Sequence, residues 1–227
     1  MISNDIFTPK QRKFLDYILS KKEKGECQLP SLSVLSRELE ISNTTLREIL
    51  EMVRTLGIIE AHPRSGIELL PYSFKPPVVK SLCYASMEDR NKFNEFADLR
   101  MHLEKAYFPQ AVKLLTHDNL HEMMNLIKNA QEKLGKNPIQ IPHSEHRKLH
   151  LSIYRNIHNE YVTSLLEAYW VMYESVGLDL YTDYSYLVKV WNYHEMIVEE
   201  IAKGCFEKSF ELLIEHMELI KDLQVER

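Results

Sequence analysis

The sequence predicts a mainly α-helical protein in two parts, and three observations carry that prediction. Glycine is scarce, with six among 227 residues, while Leu, Glu, Lys, Ile and Met are plentiful, a balance that leans helical. Apolar residues recur at helical spacing through most of the chain. The stretch "PYSFKPP", Pro71 to Pro77, holds three prolines, and proline inside a helix removes a hydrogen bond and clashes with the preceding turn. That stretch reads as a boundary. The expected division is a head over 1–74, a linker over 75–87 and a helical body over 88–227.

In the head, residues 9–22 place Phe14, Leu15, Ile18 and Leu19 on one face of a helix. "LPS" then stops the chain and offers Ser31 as the cap of a helix over 32–39. After the turn "EIS", Ser42 caps "NTTLREILEMVRTLG", which ends at Gly57. Leu46, Ile49, Leu50 and Val53 face inward on it. "IIEAH" and "GIELL" read as two strands joined by "PRSG", a small β-hairpin. Three helices followed by a hairpin make a winged helix-turn-helix. A helix that enters the DNA major groove by its N-terminal end needs small polar and basic side chains there. Here that end carries Ser42, Asn43, Thr44, Thr45 and Arg47. The same spacing also fits an ordinary capped helix of a small helical domain. Lys10, Arg12, Lys13 and Arg37 are further candidates for phosphate contacts or plain surface charges.

The body reads as six or seven helices with no strand, an all-α bundle. Its first long stretch is expected to break or kink at Pro109. Met123, Met124, Met172 and Met196 read as core filling. Tyr169, Tyr173, Tyr181, Tyr184 and Tyr186 either hydrogen-bond a ligand or fill core and interface.

Charge and composition exclude some classes. Net charge is −5, and residues 1–77 carry 11 Lys and Arg against 10 Asp and Glu, so the acidity lies in the body. Charge alone does not mark a nucleic-acid binder. No apolar run is long enough for a membrane helix, and the N-terminus lacks the apolar core of a signal peptide. Three widely spaced cysteines, Cys27, Cys83 and Cys205, read as reduced thiols of a cytoplasmic protein.

The histidines of "PHSEHRKLH" pose the sharpest question. His146 and His150 are four apart and stack on one helix face, the spacing at which two imidazoles grip one metal. His143, just after Pro142, reads as a cap or surface residue. His194 and His216 sit within apolar helical faces, beside Trp191 and Ile197 and beside Leu212 and Leu213. A single histidine so placed is usually a satisfied core residue. Four on three helices of one bundle form a candidate metal site. A metal-dependent hydrolase is the rival reading, but H-E-x-x-H is lacking, since Arg147 follows His146.

The head resembles the GntR family of bacterial transcription regulators. Its recognition helix typically reads V-S-R-T-x-V-R-E-A-L, and here the run is Ile41-Ser42-Asn43-Thr44-Thr45-Leu46-Arg47-Glu48-Ile49-Leu50. The resemblance implies operator contacts by Thr44, Thr45 and Arg47 and by the wing at Arg64, Ser65 and Gly66. Asn43 stands where the family usually has Arg, and Leu32-Ser33 where it has Glu-Arg. Lost positive contacts predict a weaker electrostatic contribution and a shallower salt slope. The body is similar to the FCD ligand-binding domain of the FadR-type branch. "LRMHLE", with Arg100 and Glu104, matches that domain's R-x-x-L-E opening. Its D-x-x-x-H with a following Asn falls on His146, His150 and Asn159. Its H-x-x-I-x-x-x-I-x-x-G falls on His194, Ile197, Ile201 and Gly204, and its final His on His216.

The resemblance implies a divalent metal held by the last three histidines, with His146 in place of the family's Asp. Four neutral imidazoles favour Zn or Ni over harder ions. His146 is either a fourth ligand or turned away to leave open positions. A small organic acid effector is implied on the metal, with Arg100 and Asn159 as its contacts and Glu104 either pairing Arg100 or at the surface. A homodimer on a double-stranded, palindromic DNA operator is expected, with repression relieved by ligand and head orientation changing at Pro71–Pro77. A metal-free relative responding to an acyl chain is the alternative.

Overall fold

The structure, a computed structural model, describes residues 6–62, 66–175 and 184–225. It divides into two compact units, Met1–Ser81 and Leu82–Arg227.

The first unit holds α1 (Pro9–Glu23), β1 (Gln28–Leu29), α2 (Leu32–Leu39), α3 (Asn43–Thr55), β2 (Ile59–His62) and β3 (Gly66–Leu69). Thr8 starts α1 through a capping box with Gln11, and Pro9 takes the first helical position, where no amide donor is needed. Ser42 caps α3 by accepting from the Thr45 N–H at 3.3 Å. Ser31 precedes α2 but makes no such bond; its hydroxyl lies 3.1 Å from that of Ser33. The core joins Phe14, Ile18, Leu35, Leu39, Leu46, Ile49 and Val53 to Leu29, Ile59 and Leu69 from the strands. Leu19, expected on the inner face, is 58% exposed.

The hairpin is one strand larger than the sequence suggests. β1 pairs antiparallel with β3, giving the order β1-β3-β2. Gly57, just after α3, adopts φ 72°, and a Cβ there would lie 2.5 Å from Pro76 Cγ. Both the turn and the close approach require glycine.

The segment expected as linker is helical. α4 spans Lys75–Glu88, and the division between units falls within it. Pro76 and Pro77 occupy its first turn, where their missing amide protons have no partner to lose. The second unit continues with α5 (Asn91–Lys113), α6 (His117–Leu134), α7 (His143–Tyr154), α8 (Glu160–Ser175), α9 (Tyr184–Ala202) and α10 (Phe206–Val225). Pro109 lies inside α5, which runs on to Lys113 rather than breaking. α9 packs on α6 and α10, and α5 on α7, α8 and α10. The core draws Phe108, Met123, Leu149, Ile153, Leu166, Trp191, Ile197 and Leu213 from these helices. Met123 and Met172 are buried, but Met124 and Met196 are 38% and 39% exposed and are not core. No helix among the described residues is long and apolar enough to cross a membrane.

Candidate metal centre and nucleic-acid interface

α7 delivers His146 and His150 one turn apart; α9 delivers His194 and α10 delivers His216. One ligand nitrogen from each can be chosen so that all four lie within 4.8 Å of one another. His194 Nε2 is 3.1 Å from His150 Nε2 and 3.1 Å from His216 Nε2. His146 does not turn away. Its ring lies 4.8 Å from that of His194 and 4.9 Å from that of His150, walled by Trp170 at 4.9 Å and Trp191 at 6.0 Å. Its Nε2 is buried without a hydrogen-bond partner among the described residues.

These contacts pose a proton-counting problem that a metal ion solves. A neutral imidazole nitrogen carries one proton or one lone pair. His194 Nε2 cannot make two good hydrogen bonds to two like nitrogens, and His146 Nε2 makes none. Four imidazole nitrogens gathered this closely suit a cation, provided each ring carries its proton on the other nitrogen. A tetrahedral zinc site with bonds of 2.0–2.1 Å has ligand–ligand edges of about 3.3 Å, close to the two 3.1 Å separations around His194, while the four nitrogens as a set lie within 4.8 Å. The residues therefore fit a nitrogen-liganded divalent ion.

The electrostatics agree. Burial pushes the pKa of all four imidazoles well below the ordinary histidine value. Neighbouring imidazoles lower His146, His194 and His216 further, and Arg100 lowers all four. The rings stay neutral, which is the ligating form.

Arg100 and Glu104, one turn apart on α5, sit behind the histidines. They are 4% and 1% exposed and pair at 2.9 Å, so Glu104 is not a surface charge. Burial pulls the Arg100 pKa down, but Glu104 together with Tyr169 and Tyr154 more than offsets this and it ends raised. Burial raises Glu104 against the pull of Arg100. The Arg100 guanidinium lies 4.8 Å from the Tyr169 ring centre and 5.5 Å from that of Trp170. It also reaches His150 Nδ1 at 2.9 Å, while Glu104 Oε1 is 3.6 Å from the same nitrogen.

Asn159 is placed differently. Its Oδ1 accepts from the N–H groups of Tyr161 and Val162, and its Nδ2 donates to the Tyr107 hydroxyl at 3.3 Å. It caps α8, and these hydrogen bonds do not reach the cluster. Of the tyrosines, Tyr169 is buried beside Arg100, Tyr184 is 49% exposed and Tyr181 lies outside the described residues. Trp170 and Trp191, which the sequence did not mark as site residues, form its walls; their helical spacing made them indistinguishable from core.

On the head, Ser42 and Thr45 are tied together by the cap, with a hydroxyl contact of 3.0 Å, and Thr45 is half-buried. Asn43, Thr44 and Arg47 are exposed at the start of α3. Gly66 opens β3 at φ 88°, and Arg64 and Ser65 lie outside the described residues. Lys13 lies 3.9 Å from Glu40, an exposed pair of little energetic weight.

The family model for the FCD domain matches residues 95–219, and the chain belongs to that family. Among solved structures it is similar to Streptococcus agalactiae GntR, with TM-score 0.69 and 17% identity over 94% of this chain and 97% of that one. It is also similar to E. coli McbR/YncC, with TM-score 0.54 and 16% identity over 97% and 99%. No curated protein matches the chain. A winged helix-turn-helix ahead of an FCD bundle is the order of elements in this chain, and its fold is shared with the Streptococcus agalactiae GntR structure.

Proposed function

We propose that the chain is a ligand-responsive bacterial transcription regulator, cytoplasmic and homodimeric, that holds a divalent metal in its FCD domain and represses a palindromic operator until a small carboxylate binds. The observation that carries the sensing half is the convergence of imidazoles from α7, α9 and α10 on one point, with 3.1 Å between neighbouring nitrogens. His146, His150, His194 and His216 would hold the ion, zinc or nickel by donor type. When bound, the ion supplies a Lewis-acid position for an anionic oxygen. Arg100 would supply a second contact for the same anion.

In the head, Asn43, Thr44 and Arg47 would meet phosphates and base edges, and Ser42 and Thr45 would shape the helix end that presents them. The wing from Arg64 to Gly66 is assigned backbone or minor-groove contact. An effector that binds one arrangement of the dimer better than the other shifts DNA affinity by that difference.

The hydrolase reading lacks a base. Glu145 is paired with Lys133 at 2.7 Å and Arg147 with Glu174 at 3.1 Å. Glu104 meets the outer nitrogen of His150, opposite its contact with His194.

The test is binding of purified full-length protein to the DNA upstream of its own gene, at several salt concentrations, with metal content measured in parallel. Sequence-specific, salt-sensitive binding and about one zinc or nickel per chain are expected. Absence of specific binding removes the regulator reading. Equal metal content in the protein and its His150→Ala variant removes the metal site.

A further inference from the structure

His150 differs from His194 and His216 in having its outer nitrogen contested. Among the described residues, the Nδ1 atoms of His194 and His216 have no hydrogen-bond partner. His150 Nδ1 has two buried neighbours of opposite kind: the Arg100 guanidinium at 2.9 Å and the Glu104 carboxylate at 3.6 Å.

A guanidinium only donates, and an ionised carboxylate only accepts. While Arg100 donates to Nδ1, that nitrogen must carry a lone pair. The single proton of the neutral ring then sits on Nε2, the atom 3.1 Å from His194 Nε2. A protonated Nε2 cannot ligate. Ligation through Nε2 moves the proton to Nδ1, where it needs an acceptor, and Glu104 is the acceptor within reach. Arg100 cannot keep its contact in that state, because two donors would then face each other.

We propose that Arg100 and Glu104 compete for His150 Nδ1, so that metal loading transfers this nitrogen from the arginine to the glutamate and releases the guanidinium. The inference rests on the metal site proposed above. The ring holds one proton throughout; it leaves Nε2 and returns to Nδ1 through solvent, and no net proton is taken up. Glu104 is thus a positioning residue for His150, and Arg100 opposes loading. Release leaves Arg100 paired with Glu104 one turn away and stacked by Tyr169 and Trp170, with a free edge for an anion. Because the two events share one nitrogen, metal and anion binding are linked in both directions.

The test uses full-length protein labelled with 15N-histidine and long-range proton–nitrogen correlation spectra, with His150 assigned from a His150→Gln spectrum. Without metal, His150 should show an unprotonated Nδ1 and a protonated Nε2; one equivalent of Zn²⁺ should reverse the two. A second arm measures zinc affinity by competition with a chelating dye. Glu104→Gln should weaken it roughly 10–100-fold, the range for outer-shell partners of metal-bound histidine. Arg100→Lys, which keeps the charge but loses the planar fork, should leave it equal or tighter. A protonated Nδ1 in the metal-free protein overturns the exchange while leaving the metal site intact. Equal weakening by both variants does the same. Failure of the wild type to take up zinc removes the metal reading and the exchange with it.

Discussion

Acidifying the metal-free protein removes stability from the helical unit, and the loss follows from the four buried imidazoles. Each has its pKa pushed well below the ordinary value by burial. In the folded chain they stay neutral; in the unfolded chain they bind protons near pH 6.5. The unfolded state therefore gains as pH falls. The contribution is full above that value and is lost progressively below it. Between pH 7.5 and 5.5 a histidine that stays neutral throughout gives up about 1.4 kcal/mol, so the four give up at most about 5 kcal/mol. Domains are stable by only about 5–15 kcal/mol, so this loss is large. The assay is intrinsic fluorescence during urea unfolding, after chelator treatment. The chain has two tryptophans, Trp170 and Trp191, and both flank His146, so the signal reports on the unit that contains the site. A loss below about 1.4 kcal/mol, the share of one histidine, would refute the claim that four neutral rings are buried together.

Metal should act in the opposite direction: zinc at 100 times its dissociation constant stabilises by about 2.7 kcal/mol, raising Tm by roughly 5–10 °C, and His194→Gln should abolish the shift in a thermal melt. Gly57→Ala should destabilise the head by at least about 1–2 kcal/mol in chemical denaturation, since φ 72° disfavours a side chain and Pro76 occupies its space. Arg47→Ala should weaken DNA binding and, if its contact is to phosphate, flatten the salt slope by about one unit in titrations at several salt concentrations. Asn159→Ala should cost about 1 kcal/mol of stability through the lost cap while leaving zinc affinity unchanged, measured by unfolding and dye competition.

The sequence made much of this legible because the signals were local. Ser42 and the Gly57 stop marked helix ends through chemistry confined to a few residues. The four-residue step from His146 to His150 placed both on one face. What was not legible depended on distant partners. β1 is two residues long and exists only by pairing with β3, some forty positions away, so it leaves no periodic trace. Arg100 and Glu104 gave no sign that they would be buried under Tyr169 and Trp170. Two local signals carry a second meaning. Pro76 and Pro77 exclude a helix interior, but prolines also begin helices, and here they do. Asn159, directly before the helical run from Glu160, carried a cap signal that the family pattern overrode.

The all-imidazole ring has a consequence for what can bind beside the ion it would hold. Its walls contribute no counterions, and a doubly charged cation would enter a region where Arg100 and Glu104 already cancel each other. Two positive charges would then lie away from water, an arrangement that costs several kcal/mol per uncompensated ion. A monoanion halves that imbalance and a dianion abolishes it. Selection among effectors would accordingly favour valence first and shape second, with dicarboxylates ahead of uncharged compounds of the same size.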